Sequence, residues 1–188
     1  ATRVWWYDLN LVNGITIGYV PIEEYTFFIL QPLLAGLWIV FILRRLKFPD
    51  TFPPLRVRQR WIPFGFIMLI WLSSIFFLIS GQPAMNYLAL ELAWALPPIG
   101  LQLIFGGDIL RRYWVPVVLT IVPFTLYLSA MDAIAITAGT WTINPEKSLN
   151  VLIAGILPIE EFVFFLLTNT LVTFGIILFL AQESWDRF

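Results

Sequence analysis

The sequence contains no cysteine and no histidine, and only 12% of its 188 residues are charged. The lack of cysteine excludes disulfides, thiolate metal sites and a cysteine nucleophile. The lack of histidine removes the commonest general base and the commonest metal ligand. Soluble domains carry roughly 25% charged residues, so the small share here is typical of a membrane protein. Any acid–base chemistry therefore depends on carboxyl groups, and we expect no metal site.

Long apolar segments dominate the sequence instead. Hydrophobic residues make up 60% of the chain, and the mean hydropathy is +0.85. Several apolar runs approach the roughly 20 residues that an α-helix needs to cross a bilayer. We therefore predict an all-α, polytopic transmembrane helix bundle with about five spans. These are helix A (about 21–43), helix B (61–80), helix C (84–105), helix D (113–138) and helix E (about 158–180).

Basic residues are concentrated in the loops on one side of this predicted bundle. They are Arg44, Arg45, Lys47, Arg56, Arg58 and Arg60 after helix A, Arg111 and Arg112 after helix C, and Arg187 in the C-terminal tail. The positive-inside rule then predicts that loops 44–60 and 106–112 and the C-terminus are cytoplasmic. Topology signalling and contacts with lipid headgroups are sufficient to explain these charges, so we expect no nucleic-acid partner.

One motif occurs twice, as PIEEYTFF at residues 21–28 and as PIEEFVFF at residues 158–165. The same alignment matches Gly18 with Gly155. Further upstream the match weakens, because Trp5 aligns with Trp141 only if one residue is gapped. An internal duplication is the simplest explanation of these matches.

The duplication divides the chain into three parts. Residues 84–188 hold a complete second repeat made of helices C, D and E. Residues 1–43 hold the end of a truncated first repeat with helix A, and residues 44–83 hold the basic loop and a linker helix B. Two helices of the first repeat are then expected upstream of residue 1. Parallel repeats of this kind are related by an axis along the membrane normal.

Six carboxylic acids share one end of the predicted bundle. They are Glu23, Glu24, Glu160 and Glu161 in the motifs, Glu91 in helix C and Asp132 in helix D. An ionised carboxylate at bilayer depth costs about 2.5–3.5 kcal/mol, whereas a glutamate in the first turn of a helix returns only about 0.3–1 kcal/mol. Two acids per motif therefore indicate a function if the motifs are buried, and helix capping if they lie at the membrane interface.

Burial would also give these acids distinct chemical roles. Removal from water and neighbouring like charges favour the protonated form of a carboxyl group, so one acid of a cluster can donate a proton while another accepts one. Aromatic ring faces can stabilise a cation that develops nearby. The candidates beside the acids are Phe27, Phe28, Phe164, Phe165 and Trp141. Packing is the commoner role of aromatic residues in a chain that is 17% aromatic.

The sequence around both motifs resembles the small integral-membrane lycopene cyclases, which occur as heterodimers in some bacteria and as fused repeats in archaea and fungi. The similar stretches are VWWYDLNLVNGITIGYVPIEEYTFFILQPLLAGLW in the first repeat, and NYLALELAWALPPI and MDAIAITAGTWTINPEKSLNVLIAGILPIEEFVFF in the second. The resemblance implies cyclisation of the linear ψ-ends of lycopene to β-rings, giving γ- or β-carotene without net redox change. It implies that Glu23, Glu24, Glu160, Glu161 and Asp132 carry the acid–base chemistry. Glu91 has a weaker claim as a residue beside the substrate, and no cofactor is expected.

Other functions stay open on the sequence alone. A proton-coupled transporter would also place repeated carboxylates in a membrane, but the sequence predicts no charged residue in the cytoplasmic halves of the helices. A non-catalytic pigment-binding subunit would fit a truncated first repeat. The expected partners are lycopene and carotenes, the lipid bilayer and, in a homo- or hetero-oligomer, further copies or other carotenoid enzymes. The sequence does not determine the ring type, the number of ends cyclised, the role of each glutamate or the oligomeric state.

Overall fold

The computed structural model describes residues 4–8, 10–18, 20–46 and 56–187, and five long helices form most of this part of the chain. They are α1 (Ile22–Arg45), α2 (Arg58–Ser80), α3 (Asn86–Arg112), α4 (Trp114–Thr137) and α5 (Ile159–Leu180). All five are long and apolar enough to cross a membrane. The prediction of a helical bundle with five candidate spans is therefore confirmed. Of the predicted basic residues, Lys47 lies outside the described ranges.

The two helices that carry the PIEE motif begin in the same way. Each is preceded by a proline with extended backbone, Pro21 before α1 and Pro158 before α5. Proline has no N–H to leave unpaired at this position, so it is well tolerated there. Two glutamates then occupy the first turn of each helix. Their negative charge complements the positive end of the helix macrodipole, which favours a helix start at this point.

The structure corrects the predicted end of helix C. The expected basic loop 106–112 is wrong, because α3 continues through Arg112 with a kink at Gly106. The sequence also predicted no charged residue in the halves of the helices that were expected to be cytoplasmic. That prediction is wrong, since Asp108 lies inside α3. Apolar patterning ends near Phe105, but the helix continues because arginines from outside α3 pair with the carboxylate of Asp108.

Within the described ranges, six short strands cover the end of the bundle that holds the motifs, and the sequence did not predict them. They are β1 (Trp5–Tyr7), β2 (Thr16–Ile17), β3 (Val20–Pro21), β4 (Trp141–Ile143), β5 (Leu152–Ile153) and β6 (Leu157–Pro158). β2 pairs antiparallel with β3 before α1, and β5 pairs antiparallel with β6 before α5. The aligned residues Gly18 and Gly155 both have positive φ in the turns of these hairpins. Each motif therefore follows a similar local structure.

β1 and β4 connect the segments that precede the two motifs. They form an antiparallel pair in which Trp6 lies opposite Thr142 and Tyr7 lies opposite Trp141. These strands occupy corresponding places in the two repeats once the one-residue gap is allowed. A twofold axis reverses the direction of any strand that lies across it. Corresponding strands of two units related by such an axis therefore pair antiparallel where they meet at the axis, as β1 and β4 do.

The interior lies between α3, α5 and the neighbouring faces of α1 and α4, while α2 packs along α3. Its fully buried apolar side chains include Ile39, Ala95, Ile99, Ile109 and Ile177. The outward faces of the helices are also apolar, with large side chains such as Leu37, Phe66 and Leu101 exposed. A helix that is apolar all round is typical of a membrane span, where lipid covers the outer face.

A charged cluster ties together three segments at the end of the bundle opposite the motifs. The buried Asp108 carboxylate accepts hydrogen bonds from Arg60 at the start of α2, at 2.9 Å, and from Arg187 in the C-terminal tail, at 2.8 and 2.9 Å. Arg187 also donates to the backbone oxygen of Phe105 beside the kink. Just before the tail, the short helix α6 (Gln182–Trp185) brings Glu183 within 2.5 Å of Arg112.

We expect Asp108→Asn to lower the free energy of unfolding by about 3 kcal/mol. Removing one partner of a buried ion pair costs about 3–5 kcal/mol, and both arginines here keep some contact with solvent, which favours the lower end of that range. Thermal unfolding of the purified protein in detergent measures the change. The matched control is Asp186→Asn, an exposed acid near the same tail, which we expect to have little effect. Equal melting temperatures for the two variants would contradict the role of the cluster.

Candidate active site

The first glutamate of each motif holds the loop that leads into its helix. The Glu23 carboxylate accepts a hydrogen bond from the backbone N–H of Asn13 at 2.6 Å. The Glu160 carboxylate accepts one from the backbone N–H of Leu149, also at 2.6 Å. A backbone donor that bonds a carboxylate in this way fixes the path of the chain across the end of the helix. The first glutamate of each motif therefore bonds the backbone of its own preceding loop, 10 residues upstream for Glu23 and 11 residues upstream for Glu160.

The second glutamate of each motif bonds a tyrosine instead. The Tyr7 hydroxyl in β1 donates to Glu24 at 2.7 Å, and the Tyr87 hydroxyl in α3 donates to Glu161 at 2.5 Å. Burial and the adjacent Glu24 carboxylate raise the pKa of Tyr7, so this phenol stays protonated and can donate. Neighbouring residues on a helix point about 100° apart, which explains why the two glutamates of one motif have different partners.

Three acids from three helices meet beside Tyr87. Glu91 of α3 is 2% exposed, Asp132 of α4 is 3% exposed and Glu161 of α5 is 8% exposed. Glu161 lies within electrostatic range of both Glu91 and Asp132. Neither carboxyl oxygen of Glu91 or Asp132 has a hydrogen-bond partner in the described part of the chain. Burying a polar group without a hydrogen bond costs free energy, so acids kept in this way inside candidate membrane spans indicate a function.

The acids of the first motif are more exposed than those of the second. Glu23 is exposed and Glu24 is half-buried, whereas Glu160 and Glu161 are both buried. Glu24 nevertheless lies within electrostatic range of Glu161 and Asp132. The structure thus brings the acids of both motifs to one end of the bundle, as predicted, but it buries only the second pair.

Four phenylalanines lie next to the motifs where α1 meets α5. The Phe27 ring meets the Phe165 ring edge to face, with centroids 6.1 Å apart, and Phe28 meets Phe164 in the same way at 6.4 Å. Because the repeat aligns Phe27 with Phe164 and Phe28 with Phe165, each contact is the counterpart of the other. Phe165 is buried, whereas Phe28 is exposed. The predicted aromatic residues therefore lie between the two motifs.

A buried polar network lies one turn deeper between the same two helices. The Gln31 amide of α1 donates to the side-chain oxygens of Thr168 at 3.2 Å and Asn169 at 2.9 Å, both in α5. Asn169 in turn donates to the Thr125 hydroxyl of α4 at 3.3 Å. This network links α1, α5 and α4 next to the two motifs.

The sequence profile of the lycopene cyclase family matches residues 1–42 and 84–180, which include every acid and aromatic residue of this candidate site. The chain belongs to the lycopene cyclase family. The two matched ranges leave out residues 43–83, which contain α2. No solved structure matches the chain.

Several curated relatives cover nearly the whole chain. Lycopene beta-cyclase of Halobacterium salinarum is 37% identical over 180 residues, which are 95% of this chain and 73% of the relative. The bifunctional lycopene cyclase/phytoene synthase of Sporisorium reilianum is 34% identical over 193 residues, covering 98% of this chain and 27% of the relative. The protein of the same name from Podospora anserina is 32% identical over 187 residues, 95% of this chain and 31% of the relative. The chain therefore spans about a third or less of the bifunctional relatives.

The two tyrosines of the candidate site were not predicted from the sequence. Tyr87 lies four residues before Glu91 on the same face of α3, a spacing that could have revealed it. Tyr7 lies in the strand that pairs with β4, and no sequence pattern places it beside Glu24. Trp141, predicted as a possible cation-stabilising residue, is half-buried in β4 and its ring meets that of Tyr7 edge to face, at 6.1 Å.

Proposed function

We propose that this chain carries the cyclisation centre of a lycopene cyclase that converts the linear ψ-ends of lycopene into β-rings without a cofactor. The observation that carries the proposal is the group of three buried acids, Glu91, Asp132 and Glu161, beside the Tyr87 hydroxyl. A membrane-embedded acid cluster next to aromatic rings suits a long apolar substrate that reacts by way of a cationic intermediate. The name of the archaeal relative, lycopene beta-cyclase, supports the β-ring as product.

The reaction needs one proton donor and one proton acceptor. Protonation of the terminal double bond of lycopene gives a tertiary cation, and the next double bond along the chain attacks that cation to close a six-membered ring. Loss of a proton beside the new cation then forms the ring double bond. The product is an isomer of the substrate, so the chemistry requires no oxidant or reductant. Carboxyl groups are the residues in this chain that can fill both roles.

Hydrogen bonding suggests which acid fills each role. A donated hydrogen bond stabilises a carboxylate, so Glu161, which accepts one from Tyr87, is suited to be the base. Asp132 has no hydrogen-bond partner in the described part of the chain and is suited to carry the proton. Glu91 lies within electrostatic range of Glu161 and is proposed to contact the substrate. Glu24 is proposed to repeat the role of Glu161 in the first repeat, with Glu23 and Glu160 positioning the loops.

The phenylalanine group suits stabilisation of the cation. Attraction between a cation and an aromatic face is worth about 2 kcal/mol or more when both are removed from water. Phe165 is buried between the motifs, and Phe27 and Phe164 are half-buried beside it. We propose that the cyclising end of lycopene lies against these rings, with Phe28 and Trp141 at the edge of the site.

We expect Tyr87→Phe to lower the rate of ring formation about tenfold or more. A hydrogen bond to a charged group is worth about 1.5–3 kcal/mol, and this substitution removes the donor to Glu161 while keeping the ring. Initial rates of cyclic carotene formation in isolated membranes measure the effect. The matched control is Tyr127→Phe, an exposed tyrosine of α4, whose rate should equal that of the wild type. An unchanged rate for Tyr87→Phe would show that Tyr87 does not position the base.

The repeat also supports the proposal that two further helices complete the first repeat. Leu30 of α1 is 51% exposed, whereas the residue that aligns with it, Leu167 of α5, is 8% exposed because α5 packs against α3 and α4. Helices equivalent to α3 and α4 would cover that face of α1 and enclose Glu23 and Glu24. Under this proposal α2 is the linker between the repeats.

We also propose an orientation in the membrane and a form of assembly. The arginines at the ends of α1, α2 and α3 and in the C-terminal tail lie on one side of the bundle, which the positive-inside rule makes cytoplasmic. The acid cluster then lies towards the opposite face of the membrane. Lycopene and its cyclised products are the proposed small-molecule partners, and association with further copies or with other carotenoid enzymes would pass these apolar molecules on within the bilayer.

Pigment analysis of bacterial cells that accumulate lycopene tests the proposed function. Two forms are expressed: the chain alone, and the chain joined at its N-terminus to the two helices proposed to complete the first repeat. We expect cyclic carotenes to replace lycopene in cells that express the extended form. If both forms are present and folded in the membrane and lycopene stays unchanged with both, the result would contradict the proposed activity.

A further inference from the structure

The end of the bundle opposite the acid cluster contains an open cavity of about 410 Å³. It lies between the start of α2 and the end of α3. Three arginines line it, namely Arg56, Arg58 and Arg111, and no carboxylate is among its lining residues in the described part of the chain. The cavity is therefore strongly positive.

A close approach of two helices builds this cavity. A Cβ atom on Gly107 would lie 2.8 Å from the backbone oxygen of Gln59 and 3.2 Å from the Cα of Arg60. Only glycine therefore allows this part of α3 to pack against the first turn of α2 without a backbone shift. The contact places Arg111 of α3 next to Arg58, the first residue of α2.

The arginines at this end fall into two groups. Arg60, Arg112 and Arg187 form salt bridges with Asp108 or Glu183. The three arginines of the cavity form none within the described ranges. The N-terminus of α2 adds positive potential, because no side chain caps it and the helix macrodipole is positive there. A topology signal requires only that positive charge lies on this side of the bundle. The three arginines and the N-terminus of α2 instead surround one cavity, which favours a specific binding site.

We propose that this cavity binds a phosphate group, and that its occupant is the headgroup of an anionic membrane lipid. Guanidinium groups bind phosphate oxygens with pairs of charge-assisted hydrogen bonds, and a helix N-terminus favours the same anion. The cavity lies at the end of two candidate spans, where headgroups are found. Ile62 and Pro63 form part of its wall, and Trp61 and Phe66 are exposed along the same helix, where acyl chains would lie. The proposal does not depend on the proposed function.

Calorimetric titration of the purified full chain in neutral detergent tests the site. The probes are dioctanoyl phosphatidic acid and, separately, inorganic phosphate. We expect saturable binding of the lipid, and we expect Arg58→Gln combined with Arg111→Gln to weaken it at least about tenfold, since each arginine supplies charged hydrogen bonds. Arg44→Gln combined with Arg45→Gln is the matched control, because it removes two charges from the same side outside the cavity. The control should stay within about twofold of the wild type.

Three outcomes would overturn the proposal. Absence of saturable lipid binding to the wild type would exclude the site. Equal weakening in the control pair would show diffuse attraction by the basic surface. Binding of inorganic phosphate as tight as that of the lipid would assign the cavity to a soluble phosphate and overturn the lipid occupant. Arg56→Gln alone should weaken lipid binding less than the double variant does, and it gives a second test should the double variant unfold.

Discussion

The Glu161→Gln variant is expected to lose at least about 99% of its ring-forming rate. General acid or base catalysis by one positioned side chain contributes about 10²–10⁴-fold, and glutamine keeps the size of glutamate while it neither releases nor accepts the proton. Tyr87 donates its hydrogen bond to Glu161, and Glu91 and Asp132 lie within electrostatic range. Initial rates in membranes, with equal amounts of protein, measure the loss.

The matched control for this variant is Glu146→Gln. Glu146 is an exposed acid on the same side of the bundle, outside the cluster. Its substitution removes the same charge and should leave the rate of ring formation unchanged. If the Glu161→Gln variant cyclises lycopene at the wild-type rate, Glu161 takes no part in the reaction.

Asp132→Asn is expected to cause a second large loss, about 100-fold, because it removes the proposed proton donor. Glu91→Gln is the informative comparison, since Glu91 is equally buried and also has no hydrogen-bond partner in the described part of the chain. If Glu91 only contacts the substrate, its substitution should raise KM more than it lowers kcat. Steady-state kinetics on the two variants separate these effects. The opposite result, a larger fall in kcat for Glu91→Gln, would exchange the two roles.

Much of the helical architecture could be predicted because membrane spans are long and uniformly apolar. Helices α1 and α5 begin within one residue of the predicted positions, since proline and the paired glutamates mark their first turns. The end of α3 could not be predicted, because hydropathy treats Asp108 as a loop residue. Its place inside a helix depends on Arg60 and Arg187, which are distant in sequence and close only in the fold.

The candidate site was predicted in composition but not in detail. The repeat identified both glutamate pairs, and alternation of the spans placed Glu91 and Asp132 at the same end. The different hydrogen-bond partners of the two glutamates in each motif depend on which way each side chain points. That direction is set by backbone donors such as the Leu149 N–H and by Tyr87, which are contacts formed only by tertiary packing. The unequal burial of the two motifs likewise follows from which helices surround each one.

Deuterium labelling tests the central claim, that exchangeable acids of this site protonate lycopene. Membranes that contain the active form are transferred to D₂O and given lycopene, and the mass of the cyclic product is measured. The account predicts that each new ring gains one deuterium, because an exchanged carboxyl group adds to the terminal double bond while the proton lost in ring closure comes from carbon. Cyclic products without deuterium would contradict proton transfer from these carboxyl groups.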